Sequence, residues 1–285
     1  MLRWRLLLGT ILIAAMVGLC WLDHSASTPG VWLFPVAIAF CVLASGEILY
    51  MSRSAGLQPI AWPVYVGNLM MVAACWLPYV CEKCCAGILG EKSSGLMWPL
   101  AALGVALVAV FLAEMRRYEK PGGVTANVAA AVLGLVYVGV MLVFVIQLRL
   151  LWGVGALASL VVVVKACDTG AYTVGRLIGR HKMAPVLSPG KTIEGAIGGL
   201  SFACIGSCAT FAYLQQGSWP GWIAFGLVVG LAGMLGDLAE SLIKRDVGVK
   251  DSSLWLPGFG GVLDILDSVL LAAPLAWLCW ALGLV

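Results

Sequence analysis

The sequence predicts an all-α, polytopic integral membrane protein with about nine transmembrane helices and a cytoplasmic N-terminus. Composition is the first ground for this. Of 285 residues 62% are hydrophobic and only 11% charged, with a mean hydropathy of +1.01. Soluble chains average ~45–50% apolar and ~25% charged residues, so this chain could not cover its surface in water. The second ground is run length, because most apolar runs reach 17 residues or more, close to the ~20 that a spanning helix needs. Barrel strands would show ~10-residue alternation instead. The third is charge: basic residues fall on one side of the expected spans.

In order, the runs cover about 6–22, 31–51, 60–81, 96–114, 124–147, 152–167, 195–215, 219–243 and 264–285. The first follows Arg3 and Arg5 and precedes Ser25-Ala-Ser27, which resembles a signal-peptide end. Its apolar core is long for a signal and further spans follow at once, so it is expected to remain as an anchor. The third run ends at Cys81-Glu-Lys-Cys84-Cys85, half of a zinc-site pattern with no second half nearby. The other seven cysteines lie in or beside spans, where thiols act as small apolar groups. The fifth and sixth runs are separated by a short link around Arg149. Residues 1–150 thus form an N-terminal region of about five spans, and residues 151–285 a C-terminal region that carries the chemistry.

Lys and Arg are retained on the cytoplasmic side. With the N-terminus inside, the inner segments hold Arg3, Arg5, Arg53, Arg116, Arg117, Lys120, Arg176, Arg180, Lys182, Lys191, Lys244, Arg245 and Lys250. The outer segments hold only Lys83, Lys92 and Arg149, and Lys165 lies within a span. The net charge of +3 gives no reason to expect nucleic acid as a partner.

A carboxylate at a helix centre costs ~2.5–3.5 kcal/mol on insertion scales, so acids in spans mark function. Glu47 and Glu114 stand alone near span ends and are read as interfacial charges. The C-terminal acids are clustered. Asp237, Glu240, Ser241 and Lys244 fall at i, i+3, i+4 and i+7, on one helical face. Asp264 and Asp267 share a face at the head of the last span, where a helix dipole tolerates acids. Asp237, Asp264 and Asp267 together would make an all-oxygen site of the kind that suits Mg²⁺. Between Lys165 and Gly195 an inner loop is expected, rich in phosphate-binding residue types: Asp168, Gly170, Tyr172, Arg176, His181, Lys182, Ser188, Lys191 and Thr192. Gly190-Lys191-Thr192 is no P-loop, because Pro185 stands where that motif needs glycine. His181 is read as a solvated residue. The inventory suits metal-assisted chemistry on phosphates beside lipid.

At these residues the chain resembles the phosphatidate cytidylyltransferase (CDP-diacylglycerol synthase) family. The stretch SLIKRDVGVKDSSLWLPGFGGVLDILDS, Ser241 to Ser268, matches that family's C-terminal signature. CDTGAYTVGRLIGRH and SPGKTIEG upstream match two further segments. Phe259 stands where the family usually has His, Ile265 where it has Arg, and Gly190 where it has Lys. The resemblance implies transfer of the cytidylyl group of CTP to phosphatidate, giving CDP-diacylglycerol and pyrophosphate at a bacterial inner membrane, with the site facing the cytoplasm. It implies Mg²⁺ held by Asp237, Asp264 and Asp267. Ser188, Lys191 and Thr192 would grip nucleotide phosphates, while Lys244, Arg245 and Lys250 would neutralise the lipid phosphate or leaving pyrophosphate. Asp168 and Glu240 would support them. A homodimer is compatible with the sequence. Three rival readings exist, one of them an enzyme that uses another lipid phosphate or another nucleotide. An ion-coupled transporter would place its acids at mid-bilayer and show internal repeats, and neither is visible. A non-catalytic relative of the family would draw on Phe259 and Ile265.

Overall fold

The computed structural model describes residues 2–77, 95–249, 252–253 and 260–285. Helices α1 (Leu2–His24), α2 (Phe34–Ser54), α3 (Ala61–Ala74) and α4 (Met97–Arg117) come first. Helix α5 (Val124–Trp152) follows, and α6 (Val154–Ile178) comes after Gly153, whose φ of 86° breaks the helix. A hairpin of β1 (Lys182–Ala184) and β2 (Ser188–Thr192) leads into α7 (Ile193–Leu214). Helices α8 (Trp219–Asp246) and α9 (Val262–Ala281) close the chain. Seven of these, α2 and α4 to α9, are long and apolar enough to cross a membrane; α3 is apolar but only 14 residues long. The chain is therefore an all-α integral membrane protein with a small polar hairpin.

Helix ends follow local rules. Pro35 opens α2 and Pro220 opens α8, where a missing N–H costs nothing. Thr192 Oγ1 accepts from Gly195 N–H at 3.1 Å and Ser218 Oγ from Gly221 N–H at 3.3 Å, each capping a helix start. Arg53, Arg116, Arg117, Lys244 and Arg245 lie in last turns, complementing the helix dipoles.

The chain divides into two compact units, Met1–Leu151 with Asp251–Leu263, and Trp152–Lys250 with Asp264–Val285. In the first, Arg149 is no linker residue. It sits inside the last turn of α5, with its Nε 2.5 Å from Oδ2 of the fully buried Asp23. The break lies four residues later, at Gly153, because only glycine tolerates that backbone angle. Leu135–Val140 within α5 is a π-helical turn, and Asn68 Nδ2 donates to the Gly134 carbonyl beside it at 3.3 Å. Such turns need an outside partner for carbonyls that the ladder leaves open.

In the second unit, α6 and α7 meet along glycines. A Cβ at Gly170 would come within 2.5 Å of Phe202, one at Gly198 within 2.5 Å of Val174, and one at Gly199 within 3.0 Å of the Cys167 carbonyl. Small residues let the backbones approach this closely. The expected loop at 168–178 is therefore helix: its glycines face a neighbouring helix, and α6 runs on to Ile178. A cluster of Trp152, Trp222, Trp277, Trp280 and Phe225 packs mostly edge to face at the other end of this unit.

Candidate active site

Three elements of the second unit bring the charged residues together. Helix α8 carries Asp237, Glu240 and Lys244 on one face, as the spacing predicts. It crosses α9 closely at Gly236, where a Cβ would stand 2.5 Å from the Asp267 carbonyl oxygen. This contact sets Asp237 and Glu240 beside Asp267. Lys244 Nζ lies 2.8 Å from Glu240 Oε2 and 2.5 Å from Asp264 Oδ1, tying the end of α8 to the start of α9. The β2 strand supplies Lys191, whose Nζ lies 2.7 Å from Asp237 Oδ2 and finds no further hydrogen-bond partner among the described residues. The Asp267 carboxyl lies against Glu240 and within electrostatic range of Asp237 and Lys165.

Four acids thus share the cluster with Lys191 and Lys244. Glu240 is completely buried, and its Oε1 has no hydrogen-bond donor among the described residues. Among those residues no three Asp, Glu, His or Cys side chains converge to hold a metal, so the expected site of Asp237, Asp264 and Asp267 together is not assembled. The donor chemistry still fits Mg²⁺ in its usual mode, in which one or two carboxylates share the ion with substrate phosphates. Among the described residues Asp237 pairs with Lys191 and Asp264 with Lys244, while Asp267 forms no ion pair.

The hairpin is built to hold Lys191 in place. Thr192, the next residue, is buried against Gly175, Gly179 and Gly195, where added Cβ atoms would stand 3.0, 2.6 and 2.9 Å from its Oγ1. Its oxygen is used as the α7 cap, which leaves only the hydroxyl proton for a phosphate. Arg245 Nε donates to the Leu187 carbonyl at 3.3 Å, fastening the hairpin to the end of α8. Glu194 accepts from Arg180 N–H at 3.1 Å, and its Oε1 lies 2.5 Å from Nδ1 of His181, which is solvent-exposed as expected and paired as well. Ser188 begins β2 and pairs with Ala184 across the hairpin. Lys165 and Asp168 form an exposed i, i+3 pair at 3.1 Å on α6. Lys250, Phe259 and Cys81 to Cys85 lie outside the described residues.

The Cytidylyltransferase family profile matches residues 3–282. The chain belongs to the cytidylyltransferase family. Among its relatives, a phosphatidate cytidylyltransferase of Mycobacterium bovis is 33% identical over 282 residues, covering 96% of this chain and 88% of the relative. One from Synechocystis is 30% identical over 302 residues, covering 93% and 94%. One from Staphylococcus aureus is 42% identical over 151 residues, 52% of this chain and 57% of the relative.

Two of this cytidylyltransferase's acids were misread from sequence. Glu47 and Glu114 are not interfacial charges: both are buried, at 6% and 5% exposure. Glu47 accepts hydrogen bonds from Ser252, Ser253, Val262 and Leu263, within the signature stretch. The available signal was the cost of an acid in an apolar helix, the same cost that singled out Asp237. Of the departures from the family pattern, Gly190 faces open space, with nothing near a Cβ built there, and Ile265 is half-buried in the first turns of α9.

Proposed function

We infer that the chain transfers the cytidylyl group of CTP to phosphatidate, giving CDP-diacylglycerol and pyrophosphate. Family membership over residues 3–282, with lysine–acid pairs assembled where the signature lies, carries this reading. The nine apolar runs of the sequence, seven of them candidate spans among the described residues, and the one-sided basic residues support an inner-membrane enzyme with about nine spans, its N-terminus and site in the cytoplasm.

In the reaction an oxygen of the phosphatidate phosphate attacks the α-phosphorus of CTP. A new P–O–P link forms, the α–β bond breaks, and pyrophosphate leaves with its electron pair. The nucleophile is already an anion near neutral pH, so no strong base is needed. The obstacle is repulsion between phosphates, which fixed cations relieve. Lys191, with spare N–H donors, would take nucleotide phosphates, together with Ser188 at the start of β2. Lys244, Arg245 and Lys250 would neutralise the lipid phosphate or pyrophosphate, and Thr192 would offer its hydroxyl proton. One or two of Asp237, Asp264 and Asp267 would hold Mg²⁺ together with substrate phosphates. The ion would supply further charge neutralisation on the triphosphate. Asp168 and Glu240 would serve as supports.

Purified protein given labelled CTP, phosphatidate and Mg²⁺ should release pyrophosphate and yield labelled CDP-lipid. Labelled lipid absent under all metal conditions, with folded protein, would overturn the assignment. The transporter reading has no support in an acid cluster neutralised by lysines.

A further inference from the structure

Glu47 is the single acid of α2, and the chemistry above makes no use of it. Its two oxygens take four donors. Oε1 accepts from Ser253 Oγ at 2.7 Å and from Val262 N–H at 2.9 Å. Oε2 accepts from Ser252 Oγ at 2.9 Å and from Leu263 N–H at 2.7 Å. Among the described residues no cation pairs with it. Neutral donors at a helix start replace the counter-ion, helped by the positive end of the helix dipole.

Val262 and Leu263 open α9, and their N–H groups have no acceptor within the helix. A serine or aspartate placed just before the helix would satisfy one of them locally. Here the acceptor comes instead from a helix more than 200 positions earlier in the chain. The junction is shaped to admit it. Gly260 takes a φ of 83°, and a Cβ on Gly261 would collide with Ser252 Oγ and with both Glu47 oxygens. Asp264 follows Leu263 directly, and Asp267 comes one turn later.

We propose that Glu47 is a positioning residue for the transfer reaction: by clamping the first two amides of α9 and the Ser252–Ser253 turn, it fixes where Asp264 and Asp267 stand. A carboxylate suits this task because it accepts at both oxygens. An amide in its place would turn an N–H₂ towards one hydroxyl and one backbone N–H, and the first turn of α9 would shift away. The inference rests on Asp264 and Asp267 belonging to the reacting centre.

The test compares Glu47→Gln, Ser252→Ala, Ser253→Ala and Asp264→Asn as purified full-length proteins. It measures kcat, KM for CTP, and the folded fraction from the amplitude of the thermal transition. Glu47→Gln should lower kcat per folded molecule about 10–100-fold, the range for groups that orient reacting side chains. Its KM for CTP should stay within about threefold, because the interaction lost acts on turnover rather than on nucleotide capture. The serine variants should show a smaller loss of the same kind. Wild-type kcat per folded molecule in Glu47→Gln beside an inactive Asp264→Asn overturns the proposal, as does a rise in KM at unchanged kcat. A fully active Asp264→Asn instead removes the reading of the site on which it rests. If Glu47→Gln does not fold, the serine variants decide: wild-type kcat in both overturns the proposal, and lowered kcat at constant KM upholds it.

Discussion

Glu47 and Glu240 are both buried acids on long apolar helices, but they are satisfied in different ways. The donors around Glu47 are hydroxyls and main-chain amides at 2.7–2.9 Å, shared evenly between its two oxygens. Glu240 relies on Lys244, which it shares with Asp264, and one of its oxygens has no donor among the described residues. The first arrangement is closed, and a substrate has nothing to exchange with it. The second is open. A lysine carries three N–H donors; Lys191 has one acid partner here and Lys244 two, so both retain capacity for phosphate oxygens. The difference separates an acid whose acceptors are filled from a cluster with donors and acceptors to spare.

The strongest challenge to that distinction is Asp264→Asn. It should abolish turnover, a loss of at least about 100-fold as for other groups that stabilise developing charge, while the unfolding midpoint in detergent stays near wild type. Full activity would show that the open cluster is structural too. Next comes Lys244→Met. Leaving Glu240 buried without its cation should cost about 3–5 kcal/mol of stability, read from unfolding of the solubilised protein. Adding Glu240→Gln should recover most of that stability without recovering activity; recovered activity would place Lys244 outside the reaction. The smallest effect is expected for Lys191→Ala, which should raise KM for CTP roughly tenfold, the worth of about one charge-assisted hydrogen bond, with little change in stability. Unchanged dependence on CTP concentration would remove Lys191 from nucleotide binding.

Most of the helices were legible in the sequence because a spanning helix needs about 20 apolar residues, although α3, at 14 residues, falls short of the run that predicted it. The α8 face was legible because Asp237, Glu240 and Lys244 are close in sequence and helical spacing stacks them. The stretch from Asp168 to Ile178 was misread because its glycines and threonines resemble a loop until a partner helix is seen against them. The pairs Lys191–Asp237 and Lys244–Asp264 could not be read in advance, since only the crossing at Gly236 and the fold of the hairpin bring them within reach. Glu47 was hidden for the same reason: its partners lie 205 to 216 positions away.

The glycine seam between α6 and α7 has a consequence for how variation in this protein should be read. Because the two backbones touch where side chains would ordinarily intervene, a single added methyl acts as a wedge. Lys191 and Thr192 stand immediately before α7, so such a wedge is transmitted to Lys191. Alanine at Gly198, whose Cβ would stand 2.5 Å from Val174, would then mimic an inactivated enzyme with every candidate reacting group still present.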